Sequence, residues 1–261
     1  MIQALWAYRN FIYRSVCNDF KNRFVRSKLG ALWMIINPLA QVAMFALILS
    51  NVLAAKLPGI NNTFGYAFYL MAGTLGWSLF SELVGRSLNL FIENGNLIKK
   101  VRFPRIALPA ILAGTCLINN GLLFVSVIAI FWLMGEAPTI QLLWLPLLTL
   151  ITLALSLGLG LCLSIVNVFV RDVGQIVPIL LQLLYWFTPI VYPVSIIPEK
   201  YRGLLALNPM VPLISSYQNI LVYKTPPHFA DCGLIFILAI LLLLIGFVLF
   251  RRANSELVDI L

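Results

Sequence analysis

Side chains able to do covalent or acid–base chemistry are scarce in this sequence. The single histidine, His228, stands beside Pro226 and Pro227 with no cysteine or carboxylate cluster around it, so neither a metal site nor a nucleophile–base pair can be composed there. Cys17, Cys116, Cys162 and Cys232 are widely separated and form none of the close pairs used for metal or redox work. They read as small apolar residues. No glycine-rich loop followed by Lys and Ser or Thr occurs, so the chain lacks the usual backbone-amide cradle for nucleotide phosphates. Catalytic residues, metal ligands and a bound cofactor are therefore not expected. Any ATPase is therefore expected on a partner polypeptide.

Two connections and one set of rings carry more information. The run from Glu93 to Arg105 sets apolar Leu97, Ile98, Val101 and Phe103 among Lys99, Lys100, Arg102 and Arg105, after Asn94 and before Pro104. A short amphipathic helix of this kind either lies on lipid headgroups or docks into a partner's groove. Asn167 to Val173 puts Arg171 and Asp172 in a tight turn, where the aspartate either caps the following helix or meets a partner. Tyr66, Tyr69, Trp77, Tyr185, Trp186, Phe187 and Tyr192 either supply faces along which a sugar chain slides or anchor helices at a membrane surface. Glu82 and Arg86, at helical spacing, are expected to form an ion pair at a helix end.

The elements that hold these residues follow from composition. Of 261 residues, 61% are hydrophobic and 10% charged, where soluble domains carry about a quarter charged residues. This chain must live in lipid. A hydrocarbon core of roughly 30 Å needs about 20 apolar residues of helix, and six stretches meet or approach that: 31–54, 64–84, 106–134, 142–169, 173–192 and 233–250. The fold class is an all-α integral membrane protein in one domain, 1–261. Residues 1–30 lack an apolar run and carry Arg9, Arg14, Lys21, Arg23, Arg26 and Lys28, which argues against a cleavable signal peptide. A helical wheel there places Ile2, Leu5, Trp6, Ile12, Tyr13, Val16 and Phe20 opposite Asn10, Arg14, Asn18 and Lys21, an amphipathic interface helix that Arg9 interrupts. The segment 193–227 is too apolar for a free loop and too rich in proline for a span. Short re-entrant helices fit it best, with a structured external loop as the alternative.

The net charge of +9 could suggest nucleic acid, but no nucleic-acid-binding module accompanies it. Retention of positive side chains on one side of a membrane accounts for it. Alternate connections hold fourteen of the eighteen Lys and Arg residues; only Lys56, Lys200, Arg202 and Lys224 fall on the other side. Both termini are thereby expected in the cytoplasm. The spans carry no mid-membrane Asp, Lys, Arg or His, which disfavours a proton-driven carrier.

Taken in order, several motifs resemble the transmembrane subunit of bacterial polysaccharide-export ABC transporters, the family handling O-antigens, capsules and teichoic acids. They are Arg23-Phe24 with Ser27 to Trp33 and Asn37-Pro38-Leu39; Asn94 to Pro104 with Leu108-Pro109; Asn167-Val168 with Arg171-Asp172-Val173, Val177-Pro178 and Gln182; Thr188-Pro189-Ile190 with Tyr192-Pro193; and Leu207-Asn208-Pro209. The likeness covers almost the whole chain. Departures are small: Ala31 stands where proline is frequent, Phe24 where tyrosine is common and Thr188 where serine is usual.

The resemblance implies a six-span homodimer in the bacterial inner membrane, two copies of a separate ATPase subunit, and a channel between protomers for a lipid-linked polysaccharide, O-antigen first. It also implies that 93–105 couples to the ATPase together with Arg171 and Asp172, and that Pro193, Asn208 and Pro209 belong to an external gate. Capsular polysaccharide or teichoic acid is the nearest rival substrate. A small-molecule ABC exporter would call for a large external domain or a more apolar pocket. An enzyme of glycolipid synthesis would call for acidic clusters that the sequence does not have.

Overall fold

The computed structural model describes residue 6, residues 8–22, scattered positions between 28 and 44, and residues 64–100, 103–137, 139–205 and 207–253. Most of the expected first span, 31–54, lies outside the described residues, as do Ile2, Leu5, Val101 and Arg102. Every regular element among the described residues is helical. In chain order these are α1 (Arg9–Asn22), α2 (Gly65–Leu88), α3 (Leu90–Glu93), α4 (Gly95–Lys100), α5 (Ala107–Leu133), α6 (Leu145–Phe169), α7 (Val173–Trp186), α8 (Glu199–Leu205), α9 (Met210–Gln218) and α10 (Phe229–Ala253).

Four helices are long and apolar enough to cross a membrane: α2, α5, α6 together with the tight turn Ile140–Trp144 before it, and α10. Their ends are chemically marked. Gly135, at φ +88°, closes α5 as its N–H reaches Trp132 O (3.1 Å) and the Glu136 N–H reaches Phe131 O (2.9 Å), satisfying carbonyls that would otherwise be orphaned. Pro146 starts α6, where a missing N–H costs nothing. α7 is a shorter apolar helix of 14 residues, containing Pro178, and it stops at Trp186 rather than running to 192. The cause is local: proline at 189 disfavours helical geometry at Thr188, and residues 187–192 turn back instead.

α6 is central, packed between α10 and α2, while α5 and α9 lie against other faces of α2. Lipid offers no hydrophobic drive between helices, so close approach of small residues supplies contact. A Cβ on Gly158 would sit 2.7 Å from the backbone N of Leu243, and one on Gly246 would sit 3.1 Å from Gly158 O. On the other side of the core, Tyr217 of α9 is wholly buried and lies where a Cβ on Gly76 would meet its ring at 2.7 Å. The outward face of α10, with Leu234, Ile237, Leu241 and Leu244, is exposed, as suits lipid contact.

These contacts sort the connections into two ends. Phe91 stacks on Phe250 at 5.7 Å, and Asn167 Nδ2 donates to Leu88 O at 2.9 Å, which gathers the 88–107 connection, the α6–α7 turn and the end of α10. That end carries Arg86, Lys99, Lys100, Arg105, Arg171, Arg251 and Arg252. At the other end Trp144 meets Phe229 edge-on at 4.9 Å, and Lys224 Nζ pairs with Glu136 Oε2 at 2.7 Å.

Candidate functional site

At the basic end, α4 is one and a half turns of helix that buries Gly95 and Ile98 and exposes Leu97, Lys99 and Lys100. Asn94 Nδ2 donates to Leu90 O at 2.8 Å and so fixes the chain just before it. Phe103 and Pro104 are half-buried, and the Phe103 ring lies 5.9 Å from that of Phe11 on α1. Of the residues expected here, Leu97, Lys99 and Lys100 are exposed, Asn94, Phe103 and Pro104 are half-buried, and Ile98 is buried. Arg171 and Asp172 are exposed at the head of α7, and the Asp172 carboxylate makes no capping bond; its backbone carbonyl accepts from Gln175 and Ile176 instead.

An open cleft of about 550 Å³ runs here, walled by α1, α2, α3, α4 and the start of α5. Its polar floor is a charge cluster. Arg86 Nη2 reaches Asp19 Oδ2 at 2.8 Å, and Arg86 Nη1 lies 3.5 Å from Glu82 Oε1, so the expected Glu82–Arg86 pair is joined by a closer partner from α1. Asn119 Nδ2 holds Glu82 Oε1 at 2.7 Å. Sequence reasoning passed over Asp19 and Asn119, yet each had a signal. Asp19 is the sole acid among the first thirty residues, and Asn119 with Asn120 interrupts an otherwise apolar span. Arg9, which broke the apolar face on the wheel, lies 5.2 Å over the Trp6 ring.

At the opposite end the seven expected rings divide. Tyr66, Tyr69 and Trp77 are buried, whereas Trp186 is 50% and Phe187 66% exposed, with Tyr185 and Tyr192 between. Trp77 meets Tyr185 edge-on at 5.5 Å, and Tyr185 meets Trp186 at 5.7 Å, so the rings lead from the core to an open face. The tyrosines at the start of α2 are occupied in tying the turn after α7. Tyr66 donates to Val191 O, and Tyr69 to Pro189 O at 3.1 Å; Gln218 of α9 donates to the same Pro189 carbonyl at 3.0 Å. Asn208 is buried and does two jobs, donating to Thr188 Oγ1 at 2.9 Å and accepting from the Met210 N–H that opens α9, at 2.9 Å. Pro193 is buried and Pro209 half-buried. Next to this knot an open apolar groove of about 780 Å³ runs along α7, lined by Phe80, Leu159, Leu181, Phe187 and Tyr192 among others. Among the described residues no group of histidine, cysteine and carboxylate side chains could hold a metal ion.

Several known proteins are similar to this chain in sequence along most of their length. The family model described as ABC-2 type transporter matches residues 12–222. The O-antigen export system permease protein RfbA of Myxococcus xanthus is 34% identical over 222 residues, 84% of this chain and 83% of that one. The protein of the same name from Klebsiella pneumoniae is 28% identical across 93% and 92% of the two chains. The polysialic acid transport protein KpsM of Escherichia coli is 26% identical across 91% of each. With the match running from α1 through the turn after α9, the chain belongs to the ABC-2 type transporter family of membrane proteins.

Proposed function

We propose that this chain is the channel-forming permease subunit of an ATP-driven exporter that carries a lipid-linked polysaccharide, O-antigen in the first place, across the bacterial inner membrane. The observation that carries the reading is the near full-length likeness to permeases named for O-antigen export, at 34% and 28% identity. In this reading the chain crosses the membrane six times, with 31–54 and the α7 region added to the four long helices. Both termini and the basic end face the cytoplasm, because positive side chains resist translocation. Two protomers enclose the path, and two copies of a separate ATPase subunit bind below and hold the ATP and magnesium.

The division of labour follows from the two ends. ATP binding draws the ATPase subunits together, and α4 with Phe103, Arg171 and Asp172 moves with them. A nucleotide shifts the resting equilibrium only by its difference in affinity for the two arrangements. The rings from Trp77 through Tyr185 to Trp186 and Phe187 offer apolar faces to sugar C–H groups and no fixed charge to trap the polymer. The short helices α8 and α9, dipping into the outer leaflet, act as the gate, hinged on Pro193 and on Asn208-Pro209.

Removing the chain from its host tests this. O-antigen should vanish from the cell surface while lipid-linked polymer accumulates inside, and both should revert when the chain is restored. The KpsM likeness supports a second substrate, capsular polysaccharide. Loss of capsule with normal O-antigen would select it, and normal amounts of both polymers would exclude the two together.

A further inference from the structure

Movement of the 93–105 segment can pass along the peptide chain into α5, which follows it. Through space, α1 touches the same parts of the molecule. α1 is fastened at three points by three different kinds of contact. Near its start, Phe11 meets Phe103, which ends the segment expected to dock on the ATPase, with ring centroids 5.9 Å apart. In its middle, Val16 is 7% exposed and presses on α5 where Gly114 has no side chain; a Cβ there would lie 2.9 Å from Val16 Cγ2. Near its end, Asp19 binds Arg86 of α2 at 2.8 Å, and Arg86 is also braced by Glu82, which Asn119 of α5 holds in turn.

An interfacial helix serving only as a lipid anchor would turn its apolar side to the membrane and its polar side to water. α1 does more: Asn10, Arg14, Asn18 and Lys21 stay exposed, while Val16 packs on α5 and the half-buried Ser15 and Asp19 line the cleft shared with α3 and α4. The ion pair is half-buried, with side-chain exposures of 26% for Arg86 and 38% for Asp19, and it lies within a network of four side chains. Such a network is stiffer and harder to replace than an isolated surface pair.

We infer that α1 is a rigid strut: displacement of the 93–105 segment enters it at Phe11 and leaves through Val16 and the Asp19–Arg86 pair into α5 and α2, as a second load path beside the peptide chain. Asp19 and Arg86 are positioning residues, and their role rests on the export reading given above. The wild-type chain, assayed with its ATPase subunit for ATP-dependent export, tests that reading; the variants below test the strut within it.

Asp19→Arg and Arg86→Asp each reverse one charge, and the double exchange restores the pair with opposite polarity. Export per inserted permease should fall about tenfold in each single variant and recover in the double, with ATP hydrolysis by the purified complex persisting throughout. Hydrolysis without transport is a signature that a merely structural role would not give. Unchanged export in the single variants, or a double variant no better than either single one, would overturn the strut. Where a single variant fails to insert, Val16→Cys with Gly114→Cys decides the matter. A Cβ at Gly114 lies 3.9 Å from Val16 Cβ, within the span a disulfide bridges. With the bond confirmed by peptide mapping, the oxidised complex should export as well as the reduced one, because a strut never leaves α5. Export that stops on oxidation and returns on reduction would mean that α1 must detach, and the proposal would be wrong.

Discussion

Single atoms set the tolerances of this bundle. At Gly158 a methyl group would meet backbone atoms of Leu242 and Leu243 at 2.7–2.8 Å, and backbone cannot swing aside as a side chain does. Gly158→Ala should therefore push α10 off α6 at a cost of about 1–3 kcal/mol. A lowered melting temperature in detergent checks it, against Gly121→Ala on α5, where the added methyl meets nothing within 4 Å. At the knot after α7, Pro189 O accepts from both Tyr69 and Gln218. Tyr69→Phe or Gln218→Leu alone leaves one donor in place and should cost about 1 kcal/mol, while both together strand a buried carbonyl and should cost more than the sum. Thermal melts of the two single variants and the double one measure that excess. Tyr185→Ala with Trp186→Ala removes the outer half of the ring series; surface polymer should fall while membrane insertion and assembly stay normal. Normal surface polymer would mean that these rings are anchors and nothing more.

At the scale of elements, the helical character of the chain and the places of α2, α5, α6 and α10 were legible because runs of twenty or more apolar residues have one reading in lipid. The edges were less so. α2 runs to Leu88, past the expected 84, since Arg86 finds Asp19 and Glu82 and so tolerates the membrane margin. α10 spans Phe229–Ala253 where 233–250 was expected, because helix continues into polar ends that hydropathy cannot register. Pairings between distant segments were not legible at all. Nothing in the spacing of Asp19, Tyr69 or Asn208 announces Arg86, Pro189 or Thr188 as a partner, for those contacts depend on the tertiary arrangement. The short helix α4 was legible as amphipathic, and it exposes Leu97, Lys99 and Lys100 together. Replacing Lys99, Lys100 and Phe103 together should leave the permease in the membrane but separate ATP hydrolysis from export, read as phosphate released per polymer delivered. Unchanged export would remove 93–105 as the coupling segment.

The whole molecule divides its labour between a charged end and an aromatic end, with four long helices between them carrying few ionisable groups. That polarity makes a prediction about orientation. Single cysteines placed at Lys99 or Arg251 should be protected from membrane-impermeant thiol reagents in intact cells, and one placed at Lys200 should be labelled. The reverse pattern would place the aromatic end in the cytoplasm. In the proposed reading the chain draws its energy from a partner ATPase, and that dependence is the claim on which the rest stands. Reconstitution in sealed vesicles tests it most directly, with this chain and its ATPase subunit supplied singly and together. Lipid-linked glycan should cross the bilayer only when both chains and ATP are present. Hydrolysis of ATP by this chain alone, or glycan transfer without the second subunit, would contradict the account.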